Sequence, residues 1–234
     1  MSVPFQGNSG VVGEIDNNRA TLVTLRPPDV ETLGSYRLAN TSGTIAAGLA
    51  GSSTIYSCRW TDATRAMLLH SVYFQARTLG TAFTAGAMTI TLNIARSFTA
   101  SDSAQTSISL AGNQSKRRTS FGSSLIGDLR ISNTGAITVG TRTVDASSHG
   151  ILNGFVPATQ TNYPWFGALT IPGASTVAGA MSAVPLFYQD AHEWPYVFVQ
   201  NEGFILTATV PATGTWNFDV IMNWSEVTTN QGWT

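Results

Sequence analysis

The sequence predicts an all-β chain: an antiparallel β-sandwich of jelly-roll type, preceded by an extended N-terminal arm. Two observations carry that expectation. Apolar and polar residues alternate with period two in stretch after stretch, the pattern of strands with one buried face. Small polar turn residues separate these stretches, giving roughly eight to ten strands and almost no credible helix.

Residues 1–35 read as the arm. SVPFQGNSGVVGEIDNN holds three glycines and little periodicity, and Arg19–Leu25 (RATLVTL) is its one short strand. The Arg26–Asp29 stretch, RPPD, then ends that strand, because two prolines bar a central position in a sheet. A segment that extends without building core is an interaction arm, or else a disordered tail with an edge strand.

Residues 36–234 read as a single sandwich domain, with no linker dividing it. Strands are expected at Thr54–Trp60, Met67–Ala76, Ala87–Ala95, Thr106–Leu110 and Ser124–Ile131. In MTITLNIA, Met88, Ile90, Leu92 and Ile94 alternate with Thr89, Thr91 and Asn93, as a half-buried antiparallel strand requires. TDATRAMLLH has a capping residue for a helical turn in Thr61 or Asp62, but Val72, Tyr73 and Phe74 favour strand. From about 133 to 183 the chain reads as a long irregular loop region, rich in Gly, Ala, Thr and Ser. Within it Trp165, in NYPWFG, is expected as an exposed anchor. Strand signals return with VPLFYQ and YVFVQ.

The most regular stretch is GFILTATVPATGTWNFDVIMNW, Gly203 to Trp224. Phe204, Leu206, Ala208 and Val210 share one side; after Pro211–Gly214, Trp216, Phe218, Val220, Met222 and Trp224 do the same. This predicts a β-hairpin of two central core strands, both tryptophans inside. Only Ile205 and Ile221 break its polar side.

Composition narrows the function classes. Hydrophobic residues make up 43% of the 234, enough for a real core, while only 11% are charged, against about 25% in an average soluble domain. A surface so poor in charge fits one covered by partner chains. Eleven arginines against one lysine, Lys116, point the same way, since interfaces favour Arg over Lys. A net charge of −1 gives no global field toward nucleic acid or an anionic membrane. The apolar runs are far short of a membrane span, and MSVPFQGNSG has neither the basic nor the apolar region of a secretory signal, so synthesis in a cytoplasm is expected.

Signals for chemistry are weak, and neither enzymatic activity nor a cofactor is expected. Cys58 lies in a strand pattern and reads as a buried thiol. His70 reads as a core or sheet-face residue; the Asp145, Ser147, Ser148 and His149 of DASSHG are too close in sequence to form a triad alone. QDAHEW brings Asp190, His192 and Glu193 together, but a metal would need a further ligand outside that short run, and a solvated loop is the simpler reading. NQSKRRTS, Asn113–Ser120, lacks the interleaved aromatics of a single-strand binder; it reads as a solvated loop or a contact to an acidic neighbour.

Three segments, NNRATLVTLRPPDVETLGSYRLA, AGNQSKRRTSFGSSLIGDLRI and QNEGFILTATVPATGTWNFDVIMNWSEV, resemble a group of tailed-bacteriophage structural proteins encoded among head and neck genes. The similarity runs over most of the chain, and NEGF…VPATGTW is its most telling part. The resemblance implies a virion protein, made in the host cytoplasm, that decorates the head as a cement protein. Its partners would be the major capsid protein or other virion proteins, and a homo-oligomer is expected, with a trimer natural at a capsid three-fold position. In such a protein Val11, Val12, Ile15, Arg19 and Arg26 of the arm, with Trp165, are the expected contacts. Alternatives are a neck, tail or fibre component, and a carbohydrate-binding sandwich used in host attachment.

Overall fold

A computed structural model describes residues 3–6, 12–15, 21–22, 33–46, 49, 51–159, 161, 183–190 and 194–228. Contacts divide the chain into two units, Met1–Glu31 and Thr32–Thr234.

The first unit contains three short strands, β1 (Val3–Gln6), β2 (Val12–Ile15) and β3 (Thr21–Leu22), paired antiparallel in that order. The sequence pattern offered one strand here, at Arg19–Leu25. β1 and β2 escaped it because their alternation is short and interrupted by glycine, and their pairing (Val3 with Ile15, Gln6 with Val12) sets the register.

The second unit is a β-sandwich, with no helix among the described residues. Its strands are β4 (Gly34–Thr41), β5 (Ile45–Ala46), β6 (Ser53–Trp60), β7 (Arg65–Thr78), β8 (Gly86–Arg96), β9 (Thr106–Ser107), β10 (Ile126–Ile131), β11 (Thr143–Val144), β12 (Gly150–Val156), β13 (Val184–Tyr188), β14 (Tyr196–Phe198), β15 (Glu202–Thr209) and β16 (Thr215–Thr228). One sheet runs β11-β8-β15-β6-β10-β9, with β12 also on β8. The other runs β13-β7-β16-β4, with β14 on β7 and β5 on β16. All pairs are antiparallel. Among the long strands β4 pairs with β16, β6 with β15, β7 with β13 and β8 with β12.

The alternation expected of the strands is seen in the burial of β8 and most of β16, whereas β6 and β15 are buried on both sides along most of their length. Trp216, Phe218, Val220, Met222 and Trp224 point inward from β16; they meet Phe204, Leu206 and Ala208 of β15 and Met88, Ile90, Leu92 and Ile94 of β8 in one core. Aromatic rings stack within it, Phe74 on Phe218 at 5.4 Å and Tyr36 on Trp224 at 5.3 Å between centroids. TDATR forms no helix: Asp62 accepts hydrogen bonds from the Thr64 amide and hydroxyl, and β7 begins at Arg65.

The expected hairpin is corrected. β15 and β16 are both central strands, but of opposite sheets: β15 lies between β8 and β6, and β16 between β7 and β4. Each has both edges occupied, so neither has one left for the other. Pro211–Gly214 is instead an arch that carries the chain across the sandwich. Thr213 and Gly214 adopt left-handed backbone there (φ 65° and 86°), and a Cβ on Gly214 would come within 2.6 Å of the Phe83 ring. Glycine meets both demands. A hairpin and an arch share the same period-two pattern, so alternation alone does not distinguish them.

Two strands, β11 and β12, fall in the stretch that looked irregular. In β12 the outer side carries exposed Ile151 and Phe155, while Gly150, Leu152, Gly154 and Val156 alternate with them; Val156 is buried in the core and Leu152 packs against it. A Cβ on Gly150 would meet the Leu186 carbonyl oxygen at 2.1 Å, so at that position the strand approaches its neighbour by lacking a side chain.

Candidate functional site

The arm contacts expected from the sequence are placed only in part. Val12 and Ile15 are the first and last residues of β2; Val11, Arg19, Arg26 and Trp165 lie outside the described residues, as do His192 and Glu193 of the metal-like run. Among the described residues no three His, Cys, Asp or Glu side chains gather as a metal site, and no helix is long and apolar enough to cross a membrane.

Cys58 is fully buried in β6, and burial pushes its thiol well above the usual range, so it stays protonated and unreactive. Asn223 pairs with Ser71 and Trp224 with Leu69, which makes His70 the extra residue of a β-bulge. Its ring nitrogens bond Gln189 Oε1 at 2.6 Å and the buried Ser225 Oγ at 2.7 Å. His149 sits between the Tyr196 hydroxyl (3.0 Å) and the Asp145 carboxylate (3.1 Å). Asp145 is also held by Arg96, which in turn pairs with Glu202. These groups tie strands and loops together.

Trp60, Trp216 and Trp224 are buried. The exposed tryptophan among the described residues is Trp194, 77% accessible. Its exposure is not legible in the Trp194-Pro195 step, which suits a core edge as well as a surface.

The basic segment lies along the β4 edge. The Arg37 amide donates to the Ser115 carbonyl at 2.8 Å and the Arg117 amide to the Ser35 carbonyl at 3.1 Å, with Lys116 bridged to Tyr36. The sheet is thus extended by a short stretch whose side chains are cationic. Arg118 lies over the Phe121 ring, 6.0 Å away. Instead of meeting an acid, Arg117 reaches over the sheet and donates from Nη2 to Asn223 Oδ1 at 2.9 Å.

That reach forms one wall of a pocket on the outer face of the six-stranded sheet. Register places Arg37, Asn223 and Ser71 side by side across β4, β16 and β7, and Ala39, Ile221 and Tyr73 in the next row. Arg37, Tyr73, Arg117, Ala183, Ile221 and Asn223 line an open depression of about 280 Å³. Asn223 is held from both sides, since its Nδ2 donates to Ser71 Oγ at 2.6 Å. Tyr73 is flanked by Tyr188, ring centroids 6.4 Å apart and tilted by 56°. Among the described residues neither Arg37 nor Arg117 forms an ion pair. Two guanidinium groups, a fixed amide, a phenol ring and an apolar floor can receive an anion.

No protein-family model, no curated protein and no solved structure matches the chain.

Proposed function

We propose that the chain is a non-enzymatic structural protein of a tailed-bacteriophage particle, a decoration protein that binds and stabilises the head shell. One observation carries this reading beyond the sequence resemblance. With β10, which lies beside β6, and the short β5, β9, β11 and β14 set aside, the eight remaining strands of the body pair first with last (β4 with β16), second with seventh (β6 with β15), third with sixth (β7 with β13) and fourth with fifth (β8 with β12). Successive pairs alternate between the two sheets. We read this order as a jelly roll, an architecture that recurs in viral capsid and lectin domains. Fold alone does not assign function; here it agrees with the three phage-like segments and the charge-poor composition.

In this reading the body is a rigid support and the N-terminal unit is the contact arm, through Val11, Val12, Ile15, Arg19 and Arg26. Trp165 adds an anchor, and the chain works as a homo-oligomer, naturally a trimer. Its partner is the major capsid protein or another virion protein, bound through many modest contacts repeated by symmetry. Mass spectrometry of purified particles tests the assignment. A fixed, high copy number per particle supports it, and absence from particles excludes it. A low copy number at one end of the particle would instead indicate a neck or tail component.

A further inference from the structure

We propose that the pocket between Arg37, Arg117 and Tyr73 binds an acidic saccharide, its carboxylate held by the two guanidinium groups. The inference stands apart from the particle assignment, because it rests on the pocket alone.

Charge is the first argument. Two arginines line one small pocket whose other lining residues, among those described, are Tyr73, Ala183, Ile221 and Asn223, all neutral. Asp219, the next outward residue of β16 beyond Ile221, is already engaged: it accepts hydrogen bonds from Thr41 Oγ1 and Gln75 Nε2, each at 2.5 Å. Arg117 uses Nη2 on Asn223, and among the described residues its other guanidinium donors have no side-chain acceptor. Like charges brought together in this way are best relieved by an anion, and the planar guanidinium fork fits a carboxylate through paired hydrogen bonds.

Pre-organisation is the second. Ser71 fixes Asn223, and Asn223 fixes Arg117, so the arginine is positioned before any ligand arrives. The basic stretch itself is pinned to β4 by backbone hydrogen bonds.

The remaining lining decides the class of ligand. A carboxylate alone would occupy a small part of about 280 Å³. It would leave the Tyr73 ring and the Ile221 side chain uncovered. A pyranose ring bearing the carboxylate covers both: its C–H face lies on the phenol ring and the apolar floor, and its hydroxyls face the amide and solvent. Tyr188, 60% exposed and beside Tyr73, extends the aromatic surface for a second sugar unit.

The test is calorimetric titration of the purified full chain with a trigalacturonate, with maltotriose as a neutral trisaccharide and with sodium acetate. The acidic trisaccharide should bind saturably, maltotriose at least tenfold more weakly and acetate more weakly still, with affinity falling as salt rises. Arg37→Gln and Arg117→Gln, both at exposed positions and expected to leave the circular dichroism spectrum unchanged, should each weaken binding by roughly tenfold or more. Arg117→Lys should recover only part of the loss, because it restores charge without the fork. No binding of the acidic trisaccharide at millimolar concentration, or binding indifferent to both Arg→Gln changes, overturns the proposal. Equal affinity for maltotriose removes the carboxylate from it, and equal affinity for acetate removes the sugar.

Discussion

Arg142 and Asp102 form an ion pair in which the side chains are 2% and 0% exposed. The pair joins the loops that follow β8 and β10. Arg142 also donates to Thr54 Oγ1 at 2.9 Å and lies over the Phe98 ring at 5.2 Å, while Asp102 accepts from the Gly140 amide at 2.7 Å. Removing one partner strands the other charge away from water. Arg142→Ala or Asp102→Ala should each cost about 3–5 kcal/mol. Replacing both by apolar residues of similar size should cost less than either single change. Urea unfolding of the three variants measures this; additive losses would contradict it.

Glu226 provides a pH prediction. Its carboxylate is buried and accepts hydrogen bonds from Ser124 Oγ (2.7 Å) and the Leu125 amide (2.9 Å), next to Tyr36 and Trp224. Burial raises its pKa above the ordinary 4.5, and the hydrogen bonds only partly offset this. The sign follows from linkage: a raised native pKa favours the folded state fully below the unfolded value, and that benefit is lost as pH rises through the native value. Glu226→Gln keeps an acceptor oxygen without the charge. It should raise the melting temperature at pH 7 by about 2–4 °C, the effect of ~1 kcal/mol in a chain of this length. At pH 4 the variant and the parent should melt together. A variant less stable at pH 7 would mean that the ionised form is the favoured one.

The two kinds of tryptophan should behave differently. Trp216 is fully buried in the core, so Trp216→Ala should cost about 3–5 kcal/mol. Trp194 is 77% exposed, and Trp194→Ala should change stability by about 0.5 kcal/mol or less. Thermal melts of both variants check the contrast.

Removal of residues 1–31 should leave the sandwich folded, because its core is drawn from the second unit. On the proposed function, the same truncation abolishes shell binding. A folded truncation that binds as well as the full chain would take the arm out of the mechanism.

Much of the fold was legible because burial on one face imposes period two. Each residue placed inside from Phe204 to Trp224 is found buried, and Ile205 and Thr207 of the expected polar side are buried as well. What alternation does not encode is which strand lies beside which, and so the arch at Pro211–Gly214 read as a hairpin. The two exceptions to the pattern turned out to be informative. Ile205 is buried on the outer side against Ala95 and Phe98, in a small second core. Ile221 is the floor of the arginine pocket. The pocket itself was not legible, because Arg37, Tyr73, Arg117 and Asn223 come from distant parts of the chain and meet only through the β4-β16-β7 register. NQSKRRTS was visible as a cationic loop, but not as an extension of the sheet. β12 was missed because its outer side carries Ile151 and Phe155 and glycines take two of its four inner positions, which blurs the alternation.

Co-sedimentation of the purified full chain with undecorated head shells of the tailed phage proposed to carry it tests the proposed function most directly. Saturable binding, at a fixed number of copies per shell and with shells that then withstand higher temperature, is the predicted result. A folded protein that stays in the supernatant at every concentration, and leaves shell stability unchanged, would contradict it.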